Sequence, residues 1–235
     1  MTTLYKLTRQ NDTTSGDVNN GGTTLTWGNN ISHTATGTGT RLCSPDVIHA
    51  YTHPLLAALL NPIHANYENP KLWRCEGEIV ANDHGLKVGV KTLTTIEELP
   101  LPVVTTEQCV KFAILCAKQV CKDEKWHTWA DRWLSGEDRV AEAAWAAWAT
   151  AEAAARARAA EAEEAEPGAA AWAAARAVRV AAWAAEEAAE EAAWAAEAEE
   201  AWAAEAARLA GRAARAAART TDIDLIALAA QAIPL

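Results

Sequence analysis

The sequence is poor in the large apolar residue types that usually fill a protein core, tryptophan excepted. Its 235 residues include one Phe, one Met and three Tyr, but eleven Trp. Half of the residues are nominally hydrophobic, yet much of that half is alanine, which buries little area when it leaves water. Leu, Ile and Val gather before about residue 135. A conventional core is therefore expected only in that part of the chain.

Signals for export and for membrane insertion are missing too. The opening residues, MTTLYK, have no apolar stretch after a basic start, which argues against a secretory signal. Glu and Arg interrupt every alanine run, so no window has the apolarity of a membrane span. The five cysteines form no repeating pattern and are expected to be reduced thiols. These features predict a cytoplasmic protein without a membrane partner.

A clustered basic surface is also lacking. The formal net charge is −10, whereas binding to a phosphate backbone requires a basic face. The one basic run falls at the end of a predicted helix, where positive charge complements the helix dipole. Nucleic acid is therefore not expected as a partner. The residues of that run are Arg208, Arg212, Arg215 and Arg219.

Residues 1–104 are predicted to form a β-rich α+β domain. The segment 4–8, LYKLT, is typical of a strand, and 24–28, TLTWG, is its predicted hairpin partner. The segments 71–80 and 85–96 alternate apolar and polar residues around the turn sequence NDHG, which predicts a second hairpin. We expect an α+β fold with a small, mostly antiparallel sheet and one or two packed helices.

A further strand and a short helix are predicted between the two hairpins. VIHAY, residues 47–51, is a compact apolar strand, and LLAALL after it is the body of a helix. Pro54 suits the first helical position because its missing N–H would have no partner there. The Gly-rich segments around Gly21 and Gly37 are interpreted as turns.

Residues 105–136 are predicted to be a packing helix that completes this domain. Thr105 and Gln108 have the spacing of a capping box, which marks the start of a helix. The apolar face of this helix is expected to cover the sheet. Three tryptophans at spacings of three and four continue the same face: Trp126, Trp129 and Trp133.

The remaining chain is predicted to be helical. Residues 137–220 consist almost wholly of Ala, Glu, Arg and Trp, and the first three lose least on entering a helix. The composition predicts two long helices with a break at Pro167-Gly168. Residues 221–235 are predicted to form a short amphipathic helix capped by Thr221. Its expected apolar face comprises Ile223, Ile226, Ala230 and Ile233.

Tryptophans mark one face of the long helices. Three of them lie eleven residues apart, close to three helical turns, so their rings form a near-straight stripe. The opposite face is almost all alanine, which lets another helix approach closely. We expect the rings to be buried against another helix of the chain or a second copy; a solvated helical spacer is the alternative. The tryptophans assigned to helix packing are Trp145, Trp148, Trp172, Trp183, Trp194 and Trp202.

Few residues have the spacing that chemistry requires. Cysteine and histidine are zinc ligands, and four of them lie close in the sequence: Cys43, His49, His53 and His64. The four-residue spacing of His49 and His53 brings two side chains together only on a helix, whereas here a predicted strand turns at Pro54. His49 is flanked by apolar neighbours and is interpreted as a hydrogen-bonded core histidine, so no metal or cofactor is predicted.

Two glutamates are the main candidates for acid–base chemistry. Glu76 and Glu78 share one face of a predicted strand, with Arg74 beside them. Paired carboxylates can serve as acid and base. Alternating charge on the exposed side of a hairpin is the commoner cause of such a pattern.

The N-terminal sequence is similar to a family of uncharacterised proteins of tailed bacteriophages and bacteria. The segments that carry the resemblance are GTGTRLCSPDVIHAYTHPLLAALLNPIHANYENPKLWRCEGEI, GLKVGVKTLTTIEELPLPVVTTEQCVKFAILCAKQV and WADRWLSGEDR. The resemblance covers roughly the first 140 residues and continues into an Ala-rich helical region. It implies a location in the host cytoplasm or the virion, and it implies no particular activity.

A weaker resemblance connects the chain with folds of the ADP-ribosyltransferase type. Such folds contain, in this order, a strand with a histidine, a short helix and a strand with a glutamate. The matching segments of this sequence are VIHAY, THPLLAALL and LWRCEGEIV. The resemblance implies that His49 contacts the nicotinamide ribose of NAD and that Glu76 or Glu78 is the catalytic acid.

Three functions follow from these patterns. The favoured one is a non-enzymatic structural or interaction protein that assembles through its Ala/Trp-rich helices, as a homo-oligomer or with a protein partner. The second is an NAD-dependent enzyme resembling ADP-ribosyltransferases. The third is a module that binds a small ligand or a host factor, with a pocket beside His49 and His53.

Overall fold

The chain divides into two compact units, which we call the sheet unit, Met1–Val103, and the helical unit, Val104–Leu235. The computed structural model describes four stretches of the chain: residues 1–15, 24–122, 124–137 and 203–234. Within these stretches it contains antiparallel sheet and five α-helices, which confirms the predicted α+β class.

The sheet unit contains a five-stranded antiparallel sheet and a separate two-stranded one. The strands are β1 (Thr2–Thr8), β2 (Thr13–Ser15), β3 (Thr24–Thr26), β4 (Ile31–Thr34), β5 (Ile48–Ala50), β6 (Lys71–Asn82) and β7 (Val88–Leu99). The order in the larger sheet is β1-β6-β7-β4, and β5 also pairs with β7. Strand β7 is long enough to pair with β5 at one end and with β4 at the other. The two long strands β6 and β7 therefore organise the unit.

The predicted hairpin of β6 and β7 is confirmed. Its turn depends on His84 and Gly85, which both have positive φ, and on the Asn82 side chain, which accepts the Gly85 N–H at 2.8 Å. Trp73 and Cys75 are buried, as the alternation predicts, and the intervening Arg74 is half-buried on the other face. The two-residue period of a strand thus assigned the faces correctly.

The other predicted hairpin is wrong. The segment 24–28 was expected to pair with 4–8, but β3 pairs with β2, and β1 pairs with β6. The physical reason is the length of β6, which offers β1 seven paired residues, from Thr2 opposite Gly77 to Thr8 opposite Lys71. The three-residue β3 cannot match that number of hydrogen bonds.

A helix follows β5 as predicted. Helix α1 spans Pro54–Leu60, with Pro54 at its first position. His53 caps it, since its Nδ1 accepts the Leu55 N–H at 3.2 Å. The strands of the sheet unit share a hydrophobic cluster with the buried Trp27. Its buried members are Leu4, Trp27, Ile48, Ala50, Trp73, Cys75, Val88, Val90 and Leu93.

The described part of the helical unit contains four α-helices. They are α2 (Thr106–Lys118), α3 (Glu124–Ser135), α4 (Ala203–Thr220) and α5 (Leu225–Ala232). The capping box of α2 is confirmed: Thr105 Oγ1 accepts the Gln108 N–H at 3.2 Å, and Gln108 Oε1 accepts the Thr105 N–H at 2.9 Å. Helices α4 and α5 both pack on α2.

The packing partner of α2 differs from the predicted one. The sequence assigned this helix to the β-rich domain, with its apolar face on the sheet. The structure places it in the helical unit, where α4 and α5 contact it. An apolar face indicates that a helix is buried, but it does not indicate which element packs against it. The helices that pack on α2 lie about a hundred residues further along the chain.

The C-terminal helix is also corrected. It begins after Asp224, whose Oδ1 accepts the N–H groups of Ile226 and Ala227 at 3.1 and 3.0 Å, and not after Thr221. Ile226 and Ala230 are exposed, whereas Leu225, Leu228, Ala229 and Ala232 are buried. Three of these buried residues each precede a predicted one by one position, so the buried face lies about 100° around the helix from the predicted face.

The predicted long helices lie largely outside the described residues. This applies to the break at Pro167-Gly168 and to the six tryptophans assigned to helix packing. The described end of this region, α4, is helical through Gly211. Within the four described stretches, none of the helices is both long and apolar enough to cross a membrane.

Candidate functional site

A group of polar side chains surrounds His49 on β5. The ring Nε2 of His49 accepts the backbone N–H of Cys43 at 2.9 Å, and its carbonyl oxygen accepts from Lys6 Nζ at 3.0 Å. An Nε2 that accepts leaves the ring proton on Nδ1. The prediction of a hydrogen-bonded histidine at this position is thus confirmed in its contacts, although the ring is half-buried rather than enclosed.

The charge state of His49 follows from its surroundings. Burial, together with the smaller effects of the Lys87 and Lys6 ammonium groups, lowers the pKa of His49 to about 4, against an opposing effect of Asp83. The ring is therefore neutral at neutral pH. A neutral acceptor suits the Cys43 N–H, so this histidine fixes the preceding loop to the sheet.

Lys6 is a member of this group that the sequence reasoning missed. It is only 8% exposed, and burial lowers its pKa from 10.5 to about 8. Its ammonium lies 4.9 Å from the centre of the Trp27 ring, an arrangement in which the negative ring face attracts a cation. The alternation of Leu4, Lys6 and Thr8 was the available signal, since residues two apart share one strand face.

The loop between β4 and β5 is closed by a second lysine. Lys91 Nζ donates to the carbonyl oxygens of Gly37 at 3.3 Å and Asp46 at 2.8 Å, and also to that of Gly39. Asp46 Oδ1 accepts the Gly39 N–H at 3.1 Å. A side chain at Gly37 would overlap Asp46, which explains the glycine there. The predicted turn around Gly37 is confirmed, and it brings Cys43 to the sheet.

Cys43 meets Lys87 at the end of this loop. Its Sγ accepts from Lys87 Nζ at 3.1 Å, and both side chains are accessible to solvent. Cys43 has a φ of 57°, a conformation that is uncommon for a residue with a side chain. The turn conformation and the His49 contact therefore direct the thiol toward the lysine.

The four residue positions considered for zinc do not form one site. His53 Nδ1 caps α1, and His64 Nδ1 lies 3.2 Å from the Tyr51 hydroxyl, with the two rings stacked. His49 and Cys43 are engaged as described above. Among the described residues, no group of three metal-binding side chains is close enough to hold an ion.

Glu76 and Glu78 lie away from His49. His49 pairs with Gly89 on β7, and Gly89 pairs with Ala81 on β6, five residues beyond Glu76. At ~3.3 Å per residue, the offset along the strand alone is roughly 16 Å for Glu76 and 10 Å for Glu78. Glu76 instead forms an ion pair with Arg74 at 4.0 Å. With this geometry, His49 and either glutamate do not contact the same ribose of NAD.

A shallow cavity lies elsewhere in the sheet unit. Its volume is about 440 Å³, and Arg9 covers one wall with its guanidinium 4.8 Å from the centre of the Tyr67 ring. A module that binds a small ligand was predicted to have a pocket beside His49 and His53. This cavity is lined by other residues. They are Arg9, Gln10, Asn11, Ala65, Asn66, Tyr67 and Glu68.

The described helices provide the other candidate surface. Trp126, Trp129 and Trp133 of α3 are buried, as their spacing predicts. Along α4 most alanines from Ala206 onward are buried, and the arginines occupy the opposite side. Its buried residues are Ala206, Leu209, Ala210, Ala213, Ala214, Ala216, Ala217 and Ala218.

Comparison of the chain with protein-family models, with curated proteins and with solved structures gave no match.

Proposed function

We propose that the protein is a non-enzymatic structural or interaction protein, related to phage proteins, that assembles through its Ala/Trp-rich helices. Its partner is a second copy of the chain or another helical protein. The sheet unit is a folded domain carried by this assembly. The observation that supports the proposal is the alanine-lined face of α4, which packs closely on α2 within the chain.

Helix α4 needs close helical neighbours. At about 100° per residue, its buried positions span roughly 220° of the helix circumference, and the arginines at positions 208, 212, 215 and 219 share the remainder. Alanine methyl groups allow interhelical distances near the short limit of about 8 Å. Each alanine buries little area, so such a helix is stabilised only by many contacts along its length.

The same composition continues through the preceding segment. Residues 137–202 repeat Ala, Glu, Arg and Trp, and the predicted stripe of Trp172, Trp183 and Trp194 adds about 200 Å² of contact area per ring. Indoles arranged in a row and left in water would form an apolar patch of the kind that marks interaction sites. This supports an assembly role for the stripe.

The sheet unit supports the same interpretation. The contacts of His49 with Cys43 and Lys6 fasten a loop and a buried ammonium to the sheet. The offset along β6 separates His49 from both candidate acids. These contacts favour a structural role for His49 over the NAD-dependent alternative.

The test is replacement of Trp172, Trp183 and Trp194 by Ala in the full chain. We expect the particle mass in light scattering to fall toward the monomer mass of 25.1 kDa, because the stripe supplies most of the contact area. The matched control replaces the same residues by Phe, which retains an aromatic ring and should keep most of the assembly. Helicity is followed by circular dichroism.

Two results would contradict the proposal. One is a wild-type protein that is already monomeric at micromolar concentration and binds no helical partner. The other is a Trp→Ala variant whose mass and helicity equal those of the wild type.

A further inference from the structure

Cys43 and Lys87 form a close pair in the sheet unit although 44 positions separate them in the sequence. Their Sγ and Nζ atoms lie 3.1 Å apart. Cys43 is exposed, whereas the other four cysteines are buried. An oxidant in solution therefore reaches one thiol of this chain far more readily than the rest, and that thiol contacts an amine.

The surrounding structure holds both partners in place. His49 Nε2 accepts the Cys43 N–H at 2.9 Å, and the three carbonyl contacts of Lys91 fix the rest of the loop. On the other side, the Lys87 carbonyl accepts the Asp83 N–H at 2.9 Å across the β6–β7 turn. The contact between sulfur and nitrogen is thus formed by two anchored backbones rather than by two free side chains.

The pair has the chemistry of an oxidative cross-link. The thiolate of a cysteine is the form that oxidants attack. Peroxides convert a thiolate into a sulfenic acid, and a sulfenic acid condenses with a nearby nitrogen to a sulfenamide. Lys87 Nζ is the nitrogen already in contact with this sulfur.

We propose that Cys43 and Lys87 form a reversible covalent bridge, sulfur to nitrogen, when the folded protein meets a peroxide. In the first step the thiolate attacks hydrogen peroxide; an S–O bond forms, the O–O bond breaks, and the hydroxide that leaves takes a proton from the Lys87 ammonium to give water. In the second step the unprotonated Nζ attacks the sulfur; an S–N bond forms, the S–O bond breaks and the oxygen leaves as water. One peroxide oxidises the pair by two electrons and yields two molecules of water.

The bridge joins the loop after β4 to the β6–β7 turn. It closes a long stretch of chain, and cross-links of this kind stabilise a fold mainly by restricting the unfolded chain. Oxidation therefore raises the unfolding midpoint of the sheet unit, and a thiol reductant reverses the change.

The experiment treats the full chain with hydrogen peroxide, digests it with trypsin without reductant, and analyses the peptides by mass spectrometry. The expected product links peptide 42–71, which contains Cys43, to peptide 75–91. The second peptide runs past Lys87 because trypsin does not cut after a modified lysine. The linked pair weighs two hydrogen atoms less than the two peptides, and dithiothreitol separates them.

Two variants make the test specific. Lys87→Arg keeps a cation beside the sulfur but has no condensing amine, so it should oxidise at Cys43 without linking. Cys43→Ser should give neither product. Circular dichroism confirms that both variants are folded before oxidation.

Three outcomes would overturn the proposal. The first is peroxide-treated wild type in which Cys43 carries oxygen and trypsin still cuts after Lys87. The second is a link to Cys75 with normal cleavage after Lys87, which is a disulfide. The third is an unchanged yield of linked peptides in Lys87→Arg.

Discussion

The sheet unit and the helical unit bury their interiors with different kinds of side chain. The core of the sheet unit combines Trp27, Trp73 and several Leu and Val with a buried ammonium, Lys6, that has defined partners. The described helical unit buries three tryptophans of α3 and a row of alanines along α4. The sheet unit therefore depends on individual contacts, whereas α4 in the helical unit depends on the small side chains of its buried face.

This difference decides how each unit should respond to mutation. A core with specific polar partners depends on the charge and length of single residues. A helix lined by methyl groups tolerates the loss of one small contact but not the addition of volume, because protein interiors are close-packed. The following substitutions separate the two behaviours.

The largest effect is expected for Lys6→Met, measured as a difference between pH 7 and pH 10.5. Burial lowers the pKa of Lys6 to about 8 in the folded protein, from 10.5. Between these values the unfolded chain still carries a proton that the folded chain has lost, so the contribution of Lys6 to the free energy of unfolding rises with pH. At ~1.36 kcal/mol per pH unit, the rise is about 3 kcal/mol.

The variant should lack this rise, because methionine carries no charge. Urea unfolding at the two pH values measures it, and Lys122→Met, at an exposed position, is the control that should retain the wild-type rise. Equal pH profiles for wild type and Lys6→Met would show that Lys6 is not buried as a cation.

A smaller effect is expected for Ala213→Leu in the helical unit. Ala213 is fully buried on α4, so a larger side chain must displace its neighbours and should cost about 1–3 kcal/mol. Ala230 on α5 is exposed, and Ala230→Leu serves as the matched control with little expected change. Unfolding followed by circular dichroism measures both. If Ala213→Leu leaves the free energy of unfolding unchanged, the alanine face of α4 has enough space for a larger side chain.

The capping box of α2 provides a smaller effect again. Thr105→Ala removes the acceptor of the Gln108 N–H and should cost about 1 kcal/mol. Thr128→Ala is the matched control, because the Thr128 hydroxyl bonds only the Glu124 carbonyl within α3, a contact that contributes little to helices. If both variants lose the same stability, the cap is not the cause.

The smallest expected effect concerns NAD. A protein that binds a ligand in its native state melts at a higher temperature when the ligand is present in excess. We expect millimolar NAD to leave the melting temperature unchanged, because His49 is occupied by Cys43 and lies far along the sheet from both glutamates. A rise that His49→Ala abolishes would restore the enzyme interpretation and make the polar group of the sheet unit a binding site.

The elements predicted correctly are those with local signals. Each of these signals fixes the backbone within a few residues. They are the turn sequence before Gly85, Pro54 after a helix cap, and the pair Thr105 and Gln108. The errors concern partners. The strand at 24–28 was paired with the wrong neighbour, and α2 was given the sheet instead of α4 and α5. The C-terminal helix was shifted because Thr221 and Asp224 can both cap, and the sequence does not rank them.

The candidate site was predictable only in part. His49 was identified from its apolar flanks, whereas Lys6 was not, since a lysine in a short strand is usually exposed. The approach of Cys43 to Lys87 had no signal at all, because it depends on a loop closing around Lys91. The tryptophan stripe remains a prediction, as it lies outside the described residues.

The sequence by itself determined the long β6–β7 hairpin, the strand and helix around Pro54 and the helical character of residues 105–136, although the structure divides the last segment into α2 and α3. These predictions succeed because alternation, caps and turn residues act over a few bonds. Only the tertiary structure decided that β1 pairs with β6, that an ammonium enters the core, and that a thiol meets an amine 44 positions away. Such contacts depend on the competition between distant surfaces for burial and hydrogen bonds, which no local pattern records.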